Sequence, residues 1–272
     1  MNVFDFHQHS PFAGRSHAGT LEHQRRMGVE RTVLLSAGSE RGLQVSAGSN
    51  DDLLTMVREH PAEYCFFANE RPDRLDAVRT LEKYLRLGAT GIGEQKFHVD
   101  CDSVYIDSIA EVARNFRVPV LFHFEFDQYN TGFERFYRLL ERHPEVNFVG
   151  HAQTWWGNID RNHQQTEMYP KTPVTPGGIT DRLLSDYPNM YGDMSAGSGL
   201  NSMLRDEEHA RGFLKRHQDK LLFGSDCSDR NARGGDCLGT KILAAIARLV
   251  PDKTAERKIL FKNASKLLKI TV

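Results

Sequence analysis

Val3-Phe4-Asp5-Phe6-His7-Gln8-His9, close to the start of a chain of 272 residues, is the stretch whose reading decides the fold. Taken as a strand, it sends Asp5, His7 and His9 to one side and Phe4 and Phe6 to the other. One face is apolar and the other carries chemistry. Residues two apart on a strand stand about 7 Å apart, from a rise of about 3.3 Å each, so two imidazoles can converge on one ion with bonds near about 2.1 Å. The pair is half of a metal site, or else a surface strand with two solvated histidines.

Outward from this stretch the chain has a rhythm. Arg31-Thr32-Val33-Leu34-Leu35-Ser36 reads as a second buried strand, and 51–60 as a helix stopped before Pro61. Tyr64-Cys65-Phe66-Phe67-Ala68 is the third strand. A helix over 73–87 carries Leu75, Val78, Leu81 and Leu85 on one stripe and ends at Gly88. The alternation continues with strands at 91–97, 118–125, 147–151, 190–194 and 221–226. Helices are expected over 103–116, 132–142, 180–186, 205–217, 240–249 and 253–268. Alternating strands and helices imply a parallel sheet. Eight units in one chain of this length fit a single (β/α)8 TIM barrel of the α/β class better than an open sheet, with residues 1–272 as one domain and no flanking β-sandwich. No glycine fingerprint for a dinucleotide follows strand one.

Composition narrows the partner. Lys and Arg total 35 against 36 Asp and Glu, a net charge of -1, which offers no field for nucleic acid or an anionic membrane surface. A small-molecule substrate is expected. No apolar run reaches the ~18 residues of a membrane span. The 4 cysteines are too few for a disulfide scaffold and have no Cys-x-x-Cys spacing, so a reducing, cytoplasmic location is expected. Of the 12 histidines, His17, His23, His60, His143, His209 and His217 lie in polar or helical surroundings and are read as exposed.

In a barrel of this kind function gathers at the carboxyl ends of the strands. His7 and His9 end strand one, Glu94 and Lys96 strand four, His123 and Glu125 strand five, His151 strand six, Asp193 strand seven and Asp226 strand eight. These ends converge in space, so four histidines and an aspartate there outweigh the ordinary reading of each as a satisfied core residue.

With these residues set out, the chain resembles the amidohydrolase superfamily. The resemblance rests on Phe6-His7-Gln8-His9, Leu121-Phe122-His123, Val149-Gly150-His151, Phe223-Gly224-Ser225-Asp226 and the late Asn263-Ala264-x-x-Leu267-Leu268. The short form that opens at strand one is similar to the amidohydrolase-2 branch, which includes decarboxylases and lactonases. The resemblance implies a divalent metal, one ion or two and most often zinc, bound by His7, His9 and Asp226 with His123 as a further ligand. It implies that His151 is a second-metal ligand or a base, and that Asp226 holds water and shuttles its proton. Two-metal members bridge their ions from strand four, where Glu94 and Lys96 stand together. Glu94 is read as a ligand, against a Glu94–Lys96 polar network, and Lys96 could instead orient an anionic substrate. Asp5, Glu125 and Asp193 are read either as acceptors for ligand-histidine N–H groups or as structural pairs.

Two loops complete the expected site. Trp155 and Trp156 follow His151 in a long loop and are read as a lid or substrate wall, with a packed loop or a homo-oligomer contact as the alternative. After strand eight, Arg230 or Arg233 could clamp a carboxylate bidentately, while Cys227 and Cys237 fit no zinc spacing. The reading as a whole is a metal-dependent hydrolase in which metal-activated water attacks an ester, lactone or amide. A metal-dependent decarboxylase of the same branch and a catalytically silent binding barrel are the alternatives.

Overall fold

The eight apolar runs form one closed sheet in a computed structural model that describes residues 2–38, 47–229 and 237–270. Its strands are β1 (Phe4–Gln8), β2 (Arg31–Leu35), β3 (Tyr64–Ala68), β4 (Gly91–Gln95), β5 (Val120–His123), β6 (Phe148–His151), β7 (Met190–Asp193) and β8 (Leu221–Leu222). Every neighbouring pair is parallel and the order is sequential. The ring shuts where Phe6 N–H donates to the Phe223 carbonyl and Asp226 N–H to the His7 carbonyl, both at 2.8 Å. This is a (β/α)8 barrel.

Around it run α1 (His17–Met27), α2 (Asn50–Glu59), α3 (Ala77–Arg86), α4 (Val104–Phe116), α5 (Tyr137–Arg142), α6 (Gln153–Gly157), α7 (Ile179–Asp186), α8 (Ala196–Leu204), α9 (Glu207–His217), α10 (Leu238–Leu249), α11 (Lys253–Arg257) and α12 (Asn263–Leu268). One π turn, Lys258–Lys262, joins the last two. None of the described helices is long and apolar enough to cross a membrane.

The strands are apolar on both faces, as a parallel barrel requires. One face packs on the helices, through Leu34, Phe66, Ile92, Phe122, Phe148 and Leu221. The other fills the interior with Phe4, Phe6, Val33, Leu35, Phe67, Leu121, Val149 and Leu222. Ala264, Leu267 and Leu268 of α12 join that inner cluster and floor the barrel, and Asn263 Nδ2 ties the helix to the Leu221 carbonyl at 2.8 Å.

Several sequence expectations are corrected. Helix α3 begins at Ala77 rather than 73, because Arg71 and Arg74 engage Asp73 and Asp76 in a turn after Pro72, and Leu75 and Val78 are exposed. Strand β5 starts only after Pro119, which has no N–H to give the ladder. The long connection after β6 contains α6, and α8 fills what reads as loop. His23, His143 and His217 are buried: His143 pairs with Asp107 at 2.9 Å, His217 with Asp181 at 2.5 Å, and His23 meets a thiol.

Candidate metal centre

Two register slips turn polar side chains into the mouth. Between Asp5 and Gln8, β1 advances three residues while β2 advances two, from Thr32 to Leu34. The slip shifts the alternation by one, so Phe4 and Phe6 face the interior and, one level higher, so do His7 and His9. The simple two-faced reading of this strand is thereby corrected. Strand β4 repeats the device: Ile92 to Gln95 spans three residues against Val120 to Phe122 on β5. Ile92 packs outward and Glu94 inward, with the change of phase at Gly93, whose φ of 136° an L side chain rarely adopts. On β5, β6 and β7 the alternation is regular, and His123, His151 and Asp193 stand above Leu121, Val149 and Tyr191. Asp226 follows Gly224, where a Cβ would run into Asp193 Oδ1. Its own φ of 43° is a left-handed conformation of the kind retained at functional sites.

Glu94 is the hub. Its Oε2 lies 3.5 Å from His9 Nε2 and 3.7 Å from His7 Nε2, and its Oε1 lies 2.6 Å from His123 Nδ1 and 3.8 Å from His151 Nε2. Asp226 Oδ1 stands 3.7 Å from His9 Nε2 and 3.9 Å from His7 Nε2. Three sets, His7/His9/Glu94, Glu94/His123/His151 and His7/His151/Asp226, each bring their ligating atoms within 4.8 Å of one another. Nearly all of it is buried; the side chain of Asp226 is 20% exposed and looks outward.

The far sides of the rings are held. His7 Nδ1 meets Asp193 Oδ2 at 2.6 Å, His9 Nδ1 donates to the Leu35 carbonyl at 3.1 Å, and His151 Nδ1 meets Ser195 Oγ at 3.0 Å. Each contact leaves Nε2 for the centre. His7 Nε2 is buried with no hydrogen-bond partner, an arrangement that costs stability unless something else takes the lone pair. Burial pushes His7 down to about 4 and His151 down to about 3, so both are neutral imidazoles, the form that ligates a metal. Burial pushes Asp193 up to about 6 and raises Asp226. At Glu94 burial acts upward too, but the imidazoles of His123 and His7 and the bonds from His123 and His9 outweigh it and hold the carboxyl well below its usual range. A mixed imidazole and carboxylate donor set with an orphaned Nε2 fits Zn²⁺, Mn²⁺ or Fe²⁺.

The other expected residues fall differently. Lys96 lies at the mouth with its Nζ 5.2 Å from the Tyr129 ring centroid, while Glu94 is taken up by imidazoles. Glu125 Oε2 meets His123 Nε2 at 3.3 Å, and Asp5 accepts from the backbone N–H of His7 rather than from a ring. Trp155 and Trp156 are core residues and not a substrate wall: Trp155 is fully buried against Phe124 and Phe133, and Trp156 Nε1 donates to the Asp193 carbonyl at 3.0 Å. Arg230 and Arg233 lie outside the described residues. Three supports escaped the sequence reading: Ser195, Asn69, which donates to the Glu94 carbonyl at 2.7 Å, and Asn130, which donates to the His123 carbonyl at 2.8 Å. Ser195 and Asn69 signal themselves only by a place just after a strand end, and Asn130, well beyond the end of β5, by nothing in the sequence. A cavity of about 320 Å³ lined by Glu125, Tyr129, Thr154, Gln165 and Ile179 adjoins His123 through Glu125.

A family model described as an amidohydrolase matches residues 26–270, a span that begins after His7 and His9. Among solved structures, an uncharacterised TIM-barrel protein from Bordetella bronchiseptica is 15% identical, with 99% of each chain covered and a TM-score of 0.70. A probable 2-pyrone-4,6-dicarboxylic acid hydrolase from Acinetobacter baumannii is 15% identical over 99% of this chain and 100% of its own, at a TM-score of 0.65. A 2,6-dihydroxybenzoate decarboxylase from Rhizobium is 14% identical over 92% of this chain and 87% of its own, at 0.57. At these identities the likeness is one of fold. No curated protein matches the sequence.

Proposed function

Since the chain belongs to the amidohydrolase family, whose model matches residues 26–270, we propose that it is a metal-dependent hydrolase of an ester, lactone or amide bond in a small molecule. The observation that carries this reading is the Glu94 carboxylate, one oxygen turned to His7 and His9 and the other to His123 and His151. Glu94, with an oxygen toward each pair of imidazoles, would be a ligand on both sides of the centre, zinc being the first ion to test. His7, His9 and Asp226 would hold one ion and His123 and His151 the other.

When bound, a divalent cation supplies Lewis acidity toward water and toward a carbonyl oxygen. The chain's own residues do the rest. Asp226, partly exposed and beside His7 and His9, takes the proton of the attacking water and returns it to the leaving group. Should only the ion at His7, His9 and Asp226 be bound, His151, neutral and fixed through Ser195, would have its Nε2 free to assist that transfer instead of ligating. Lys96 at the mouth, beside Tyr129, would draw in an anionic substrate.

Elemental mass spectrometry of the purified protein should find one or two equivalents of divalent metal that are lost in His7→Ala. Asp226→Asn should keep most metal and the fold and lose turnover of an aryl ester or a δ-lactone by about 10²–10⁴-fold. Full activity in that variant would remove the assigned role. The same family supports a decarboxylase as the second reading, with the proton delivered to a ring carbon. Carbon dioxide released from a dihydroxybenzoate, without ester or lactone turnover, would select it.

A further inference from the structure

Away from the barrel mouth, three elements bring a second set of soft donors together. His23 and Met27 share one face of α1, four residues apart. Cys227 follows β8, and Cys237 is the N-cap residue just before α10. All four are buried, and the two cysteines are free thiols. Cys227 Sγ lies 3.8 Å from Cys237 Sγ, and Cys237 Sγ lies 3.5 Å from His23 Nε2. In a tetrahedral zinc site with Zn–S near 2.3 Å and Zn–N near 2.05 Å, the sulfur–sulfur edge is about 3.8 Å and the nitrogen–sulfur edge about 3.6 Å. The observed spacings are those edges. The ligating atoms of His23, Cys227 and Cys237 all fall within 4.8 Å of one another.

We propose that His23, Cys227 and Cys237 form a structural zinc site distinct from the barrel-mouth centre, with the Asp229 carboxylate as fourth ligand. Asp229 Oδ2 stands 4.0 Å from His23 Nε2 and is 20% exposed, which leaves an entry path for the ion. Met27 Sδ, 3.7 Å from Cys237 Sγ, closes the apolar side. On binding, each thiol releases its proton to solvent and both sulfurs ligate as thiolates. Two thiolates and a carboxylate exceed the charge of Zn²⁺ by one, and the buried Arg15, whose Nη1 donates to the Asp229 carbonyl at 2.6 Å, supplies the balance. The site pins α1 and the start of α10 to the segment that bears Asp226, a cross-link no spacing rule announces because its ligands are brought together by the closed barrel.

Cobalt titration of reduced, metal-free protein tests this, because the barrel-mouth residues include no cysteine. A near-ultraviolet thiolate-to-cobalt charge-transfer band should appear, reach a plateau that further cobalt does not raise, vanish on adding excess zinc, persist in His7→Ala and be lost in Cys237→Ser. Circular dichroism checks that the variant folds; if it does not, His23→Gln should lose the band instead. In the wild-type protein zinc should protect Cys227 and Cys237 from alkylation and a chelator should expose them. No charge-transfer band in the reduced protein, a band that survives Cys237→Ser, or thiols that zinc leaves unprotected and that only pair as a disulfide on oxidation would each overturn the proposal.

Discussion

At the scale of the residue, Asp193 reaches His7 and Ser195 from one carboxylate. Its Oδ2 meets His7 Nδ1 at 2.6 Å and Ser195 Oγ at 2.9 Å, and Ser195 in turn meets His151. Two proposed ligands of different ions are therefore oriented from a single buried group. Asp193→Asn should lower metal affinity by about 10–100-fold with the fold intact, measured by competition with a chromophoric chelator; unchanged affinity would mean that packing alone orients the rings. Asp193 was legible as a candidate acceptor from its place at a strand end. The direction in which His7 points was not, since period-two reasoning assigns it to the face opposite Phe6 and the slip in β1 moves both inside. Trp155 and Trp156 misled for a related reason: aromatic residues beside a candidate histidine suggest a wall, but their helix packs them on Phe124 and Phe213.

At the scale of the element, Asp206 caps α9 and also holds the long connection that follows β6. Its Oδ1 accepts from His209 N–H and its Oδ2 from Val174 N–H, both at 3.0 Å. Asp206→Ala should cost about 1 kcal/mol for the cap alone, read from a urea midpoint. The two backbone donors hold the carboxyl below its usual 3.8. Its contribution is therefore complete well above that value and is lost as pH falls through the lower folded one, so the gap between wild type and variant should narrow as pH falls below 3.8. A gap independent of pH would show that the charge is not what matters. Long amphipathic helices such as α4 and α10 are readable from periodicity. Helix α8 is not, because Gly197 and Gly199 lower its propensity and tertiary packing overrides it.

At the scale of the whole molecule, the strand and helix rhythm specified the barrel, and the floor explains a motif that rhythm left unplaced. Asn263-Ala264-x-x-Leu267-Leu268 is the plug: Asn263 binds the start of β8, and the three apolar side chains fill the bottom of the interior. Leu267→Ala should destabilise by about 2–5 kcal/mol through the cavity it leaves, seen as a lower denaturant midpoint with an unchanged slope; a surface-like cost under about 0.5 kcal/mol would show that the floor is not part of the core. The seam has a consequence of another kind. The ring closes between β1 and the residues after β8, and Gln8 and Cys227, hydrogen-bonded across it, are 219 positions apart. His7, His9 and Glu94 are translated well before Asp226, so their set stays short of one ligand until the segment after β8 is made. The full set of His7, His9 and Asp226 closes on an ion only once the last strand has emerged and docked, so its loading follows the translation of β8.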